Sequence, residues 1–106
     1  MSVLLALTTA PDGETAGRIA RALVEERLAA CVNRLPGVAS TYRWRGMLQE
    51  DAEVLLLIKT TRARLPALEA RLGELHPYEV PELIALDVAA GLAPYLAWVE
   101  SECGAA

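Results

Sequence analysis

The chain has no phenylalanine, a single histidine, a single lysine and two cysteines in 106 residues. Each scarcity excludes something. Two cysteines, one near the C-terminus, do not make a disulfide framework, and a reduced, cytosolic compartment fits that usage. One histidine and no paired nucleophile leave no conventional hydrolase triad. G-x-G-x-x-G, G-x-x-x-x-G-K, H-E-x-x-H and C-x-x-C are all missing, which removes the common dinucleotide, phosphate-loop, zinc-protease and dithiol chemistries. No window approaches the roughly 18 uninterrupted apolar residues of a membrane span. The start, Met1-Ser2-Val3-Leu4-Leu5, has no basic n-region or cleavage-site pattern and reads as structure. Basic residues number 10 against 14 acidic ones, mixed along the chain for a net charge of −4, so there is no nucleic-acid footprint.

What is present is a high apolar content, 54%, enough for a packed core and against disorder. The length accommodates one domain, 1–106. The five aromatics, Tyr42, Trp44, Tyr78, Tyr95 and Trp98, all carry a polar handle. Such rings are enriched at interfaces, so an aliphatic core with Tyr and Trp elsewhere points to assembly. A small Leu-, Val- and Ala-rich core would account for the same composition.

Val3–Thr8 is a buried strand by length. Thr9-Ala10-Pro11-Asp12 is a helix-start signal, after which Ala16, Ile19, Ala20, Leu23, Val24 and Leu28 form one helical stripe ending near Arg27. Ala30–Trp44 reads as a long strand with a bend or bulge at Pro36-Gly37. Gly46 to Glu50 is expected to be a connection. Glu53–Lys59 is apolar at five successive positions, the mark of a strand covered on both faces. Pro66 opens a helix near Leu65, with Leu65, Leu68, Leu72 and Leu75 on its buried side. Leu83–Val88 is a fourth strand and Pro94 starts a short terminal helix through Tyr95 to Glu102. The order β-α-β-β-α-β plus a helix is the split pattern of ferredoxin-like α+β folds, a four-stranded antiparallel sheet. Both long helices then lie on one sheet face. The other face needs a cover that a chain this short does not supply, and a partner subunit is the economical answer.

Chemistry concentrates in His76-Pro77-Tyr78-Glu79-Val80-Pro81-Glu82. The prolines hold His76 and Val80 extended, so this is a stiff connector that presents polar groups. His76 could ligate metal or move protons with Tyr78 or Glu82, or be a turn residue bonded to backbone. Cys31 offers a soft ligand for Cu(I), or is simply a small buried hydrophobe. Lys59, beside Thr60-Thr61, could hold an anion or be a solvated strand end. Glu53 shares its strand face at about 20 Å, too far for an acid–base pair.

Taken together, Glu26-Arg27-Leu28-Ala29-Ala30-Cys31-Val32-Asn33, Tyr42-Arg43-Trp44-Arg45-Gly46, Lys59-Thr60-Thr61, the 76–82 segment, Tyr95-Leu96-Ala97-Trp98 and Thr9-Ala10-Pro11-Asp12 resemble the CutA family of divalent-cation tolerance proteins. The resemblance covers nearly the whole chain. It implies a ferredoxin-like subunit in a tight homotrimer, similar in architecture to PII signalling proteins, and a link to copper and other divalent cations. No obligatory cofactor is expected and, since the spacing assembles no nucleophile, base and orienting group, no catalytic residue. The resemblance further implies an inter-subunit cleft, with Tyr42, Trp44, Glu53, Lys59, His76, Tyr78, Glu82 and Trp98 as its residues here and Cys31 with His76 as metal candidates. Some relatives carry thiols in the first strand and second helix. This chain has none there, so a multi-cysteine copper site inside one subunit is not implied. A PII-like module holding a small anion at Lys59 is the alternative reading.

Overall fold

The computed structural model describes residues 2–104, so the ends of the expected 1–106 domain, Met1, Ala105 and Ala106, lie outside the described residues. The elements run β1 (Val3–Ala10), α1 (Gly13–Glu25), β2 (Cys31–Trp44), β3 (Met47–Thr61), α2 (Leu65–Leu75), β4 (Ile84–Asp87) and α3 (Ala93–Glu102). The strands form one antiparallel sheet in the order β2-β3-β1-β4. This is the expected α+β arrangement with its terminal helix.

Helix α1 starts where the Asp12 carboxylate accepts a bond from the Thr15 N–H at 2.7 Å, the usual N-cap device. It stops before Arg27, which adopts left-handed φ of 58°. The Thr15 bonds hold the Asp12 carboxyl below its ordinary pKa. A depressed folded-state pKa contributes stability that is complete above the unfolded value and lost as pH falls through the folded one. Chemical denaturation followed below about pH 4, the ordinary carboxylate range, should therefore show a loss of stability that Asp12→Asn lacks, because asparagine caps without titrating.

Alternation on the strands sorts the two sheet faces. Ala6, Ala10, Val54, Leu56 and Ile58 point to one side and pack with Ala16, Ile19, Ala20 and Leu23 of α1 and Leu68 and Leu72 of α2. That is the core, and both long helices cover it. On the opposite side the register places Leu5 and Leu7 of β1 beside Lys59 and Leu57 of β3 and beside Leu86 and Ile84 of β4, with Leu35 of β2 beside Leu55. Helix α3 packs through Val99 and Cys103 only at the end of the sheet where Val3 and Ala30 lie. Leu5, Leu7, Leu55 and Leu57 stay half-buried, and Leu35, Ile84 and Leu86 exposed. The third strand is thus apolar on both faces, and one of them is uncovered in the single chain.

One expected connection is absent. Met47–Glu50 belongs to β3, and Trp44 pairs directly with Met47. Arg45 and Gly46 alone make the turn, with φ of 50° and 79°, the two positive values that a tight primed hairpin turn requires. The β2–β3 hairpin therefore projects beyond the rest of the sheet. The molecule measures 44 × 26 × 21 Å with a radius of gyration of 14.2 Å, against about 13 Å for a compact chain of this length. Among the described residues no helix is long and apolar enough to cross a membrane.

Candidate functional site

The site is built by a bulge. Leu35 faces Leu55, but Val38 faces Glu53, so the ladder slips by one residue at Pro36-Gly37. Gly37, at φ 77°, supplies the left-handed step. A slip of one residue exchanges the two faces of everything beyond it. Cys31, Asn33 and Leu35 lie on the uncovered face at odd positions; after the bulge the even positions Ser40, Tyr42 and Trp44 lie there instead, opposite Asp51, Gln49 and Met47. Glu53 shares that face with Leu55 and Leu57.

The 76–82 connector closes the other wall. Its first residue, His76, caps α2 in an extended conformation and is 7% exposed. The Nε2–H donates to the Thr9 carbonyl at 2.6 Å, and Nδ1 accepts from the Tyr78 N–H at 3.2 Å. The Thr8 hydroxyl donates to the Glu82 carbonyl at 2.6 Å. These bonds pin both ends of the connector to β1. Tyr78 then reaches across to donate its hydroxyl to Glu53 Oε2 at 2.7 Å. Burial and that carboxylate push the Tyr78 phenol well above its ordinary pKa, so it stays protonated as a donor at any physiological pH. Tyr42 donates to Asp51 likewise, which raises its pKa too.

Between the hairpin and the connector lies a groove of about 790 Å³, within the size range of small-molecule sites. Of the expected cleft residues, Tyr42, Trp44, Glu53, Tyr78 and Glu82 line it. His76 sits behind Tyr78, ring centroids 4.6 Å apart, with both nitrogens given to backbone. Lys59 and Trp98 lie elsewhere. The Lys59 ammonium meets Asn33 Oδ1 and lies 3.9 Å from Cys31 Sγ, and Trp98 stacks on Tyr95 at 5.6 Å. The two expected metal ligands are not neighbours: Cys31 pairs with Lys59, whereas His76 bonds to Thr9, which pairs with Leu55, four residues along β3. That is about 13 Å at the strand rise. A metal at His76 Nδ1 would also have to displace the Tyr78 N–H. Among the described residues no three His, Cys, Asp or Glu side chains stand together as a metal site.

Sequence reasoning missed Thr9, Ser40, Arg45 and Glu79 as groove residues. Arg45 was findable, since the Arg45-Gly46 pair is a turn signal that puts it at the hairpin tip. Its guanidinium lies 5.4 Å from the centre of the Trp44 ring and pairs with Glu79 at 2.7 Å.

These features define a class first: a ferredoxin-like subunit with one bare apolar sheet face, a projecting hairpin and a polar-aromatic groove. Residues 4–102 match the family model described as CutA1 divalent ion tolerance protein, and the chain belongs to that family. It is 54% identical to the divalent-cation tolerance protein CutA of Thermus thermophilus, over 92% of this chain and 95% of that one. The human protein CutA is 52% identical over 92% of this chain, which spans only 55% of the human length. The crystal structure of CutA from Xylella fastidiosa superposes with a TM-score of 0.95 at 48% identity, covering 98% of this chain and 100% of that one.

Proposed function

We propose that this chain works as a cytoplasmic homotrimer that supports tolerance of divalent cations by binding copper at the subunit boundary, through Cys31. The observation that carries the reading is the bare face. Leu5, Leu7, Leu35, Leu55, Leu57, Ile84 and Leu86 form one continuous apolar surface by register. A monomer rarely leaves such a surface to water. The half-buried thiol of Cys31 lies at its margin, in the same cross-strand row as Lys59, Leu5 and Leu86. Because no ligand cluster forms within the described residues of one chain, coordination there requires groups from a neighbouring copy. A soft thiolate selects Cu(I) over the hard alkaline-earth ions. The cytoplasmic assignment rests on the two free thiols.

Titration calorimetry of Cu(I) and Cu(II) against the wild type and Cys31→Ser tests the metal. The serine variant should lose the tight phase for Cu(I) while keeping its mass by light scattering. Identical, weak isotherms for the two proteins would leave Cys31 a packing residue.

A further inference from the structure

Helix α1 carries a buried glycine in its interior, Gly17. Glycine there is destabilising relative to alanine, and an arginine pair accounts for its presence. A Cβ at Gly17 would come within 2.7 Å of Arg34 Nη1 and 3.2 Å of Arg21 Nη1. Only a bare backbone lets both guanidinium groups lie there. Arg21 sits one turn further along the same helix. Arg34 belongs to β2, an edge strand of the sheet. It precedes the bulge and pairs with Leu56, so it points to the helix side and reaches across to α1. The fold thus brings two positive charges to one spot. Among the described residues the ion pairs use Arg27, Arg45, Arg62 and Arg71, and none uses Arg21 or Arg34. Glu14, one turn before Gly17, and Glu25, one turn after Arg21, form no ion pair with either. Arg18 acts on Asp12, whose carboxyl it helps to hold below its ordinary pKa.

Like charges held together repel, and each guanidinium presents five N–H donors in a rigid fork. Both arginines are exposed, so those donors are open to a ligand. A phosphoryl group carries up to two negative charges and three acceptor oxygens. It can take both forks at once and cancel the repulsion between them. We infer that Arg21 and Arg34 together bind the phosphoryl group of a small phosphate monoester, seated over the bare backbone of Gly17. The pair lies on the helix side of the sheet and is no part of the apolar face that the proposed assembly covers. It shares no residue with the polar-aromatic groove, with Lys59 or with Cys31, so it goes beyond the copper reading.

Phenyl phosphate is the probe, with phenol as the control that lacks the phosphoryl group. Calorimetry on the full-length protein in its native assembly, in dilute chloride buffer, should give saturable binding of phenyl phosphate, one per chain, and none of phenol. Arg34→Gln and Arg21→Gln should each weaken it about tenfold or more. Arg43→Gln makes the same charge change at an exposed position further along β2. It should stay within about twofold, the size of a screened long-range effect. Gly17→Leu alters no charge but fills the space that the guanidinium groups share, and it should weaken binding as far as Arg34→Gln does. Circular dichroism verifies that each variant is folded. Absence of saturable phenyl phosphate binding overturns the inference. Equal losses for Arg34→Gln and Arg43→Gln overturn it too, since diffuse charge would then account for the affinity. Wild-type affinity in folded Gly17→Leu would likewise remove the seat over the glycine. Cys31→Ser should leave phenyl phosphate binding unchanged, so this result and the copper result fail separately.

Discussion

Leu57→Asp should convert the proposed trimer into single chains. Leu57 lies at the middle of the uncovered face, between Leu7 on β1 and Asn33 on β2. In the assembly a carboxylate there would be desolvated among leucines, and threefold symmetry would repeat it in every subunit. The effective penalty is several kcal/mol per buried ion, more than one side chain returns by burial. Light scattering coupled to size exclusion should give the wild type at about three times the 11.4 kDa chain mass and the variant near 11.4 kDa. Far-UV circular dichroism shows whether the released chain keeps its fold. A wild type that already runs at the chain mass would remove the trimer, and with it any site shared between subunits. A variant that keeps the wild-type mass would place the contact on another surface.

Leu56→Ala, one residue away, should act on folding and not on assembly. Leu56 points to the helix side and is fully buried between the sheet and α1 and α2. Truncation removes the transfer energy of the lost methyl groups and leaves a cavity that a sheet under two helices fills poorly. The expected cost is about 2–5 kcal/mol, read from denaturant unfolding at fixed protein concentration. Leu48→Ala, near the hairpin tip and 69% exposed, should stay within about 0.5 kcal/mol. A Leu56→Ala cost no larger than that of Leu48→Ala would mean that the helix-side core is not where the folding energy resides.

The contrast between neighbouring leucines follows from strand alternation, and that much was readable in the chain. Five apolar residues in succession between Glu53 and Lys59 imply a strand with two covered faces, and the helical stripes of α1 and α2 supply a cover for only one. The lack of a cover for one sheet face within the chain is legible before any coordinate. Element order, the ferredoxin-like pattern and the stiffness of the 76–82 connector were legible for the same reason. Each depends on local periodicity or on proline geometry, which act within a few residues. The hairpin turn was misplaced, since Met47-Leu48-Gln49-Glu50 has no alternation. Only pairing with Thr41–Trp44 makes it a strand.

The site divides along the same line. The family resemblance marked Tyr42, Trp44, Glu53, Tyr78 and Glu82 as cleft candidates, and local sequence marked Pro36-Gly37 as a bend or bulge. Whether the bend adds a residue to the ladder is decided by how β2 pairs with β3, a contact between positions far apart in sequence. That one-residue slip puts Tyr42 and Trp44 on the face of Glu53; without it they would point to the helix side. Tertiary structure likewise took His76 out of the exposed chemistry, because the Thr9 carbonyl at the end of β1 and the Tyr78 N–H claim its two nitrogens. It also kept Lys59 and Cys31 away from the groove, since distance along a strand grows by about 3.3 Å per residue whatever face is shared. Composition and periodicity determined the elements and the bare face. Register and long-range hydrogen bonds decided which polar side chains meet, because those depend on strand pairing that no local stretch of sequence contains.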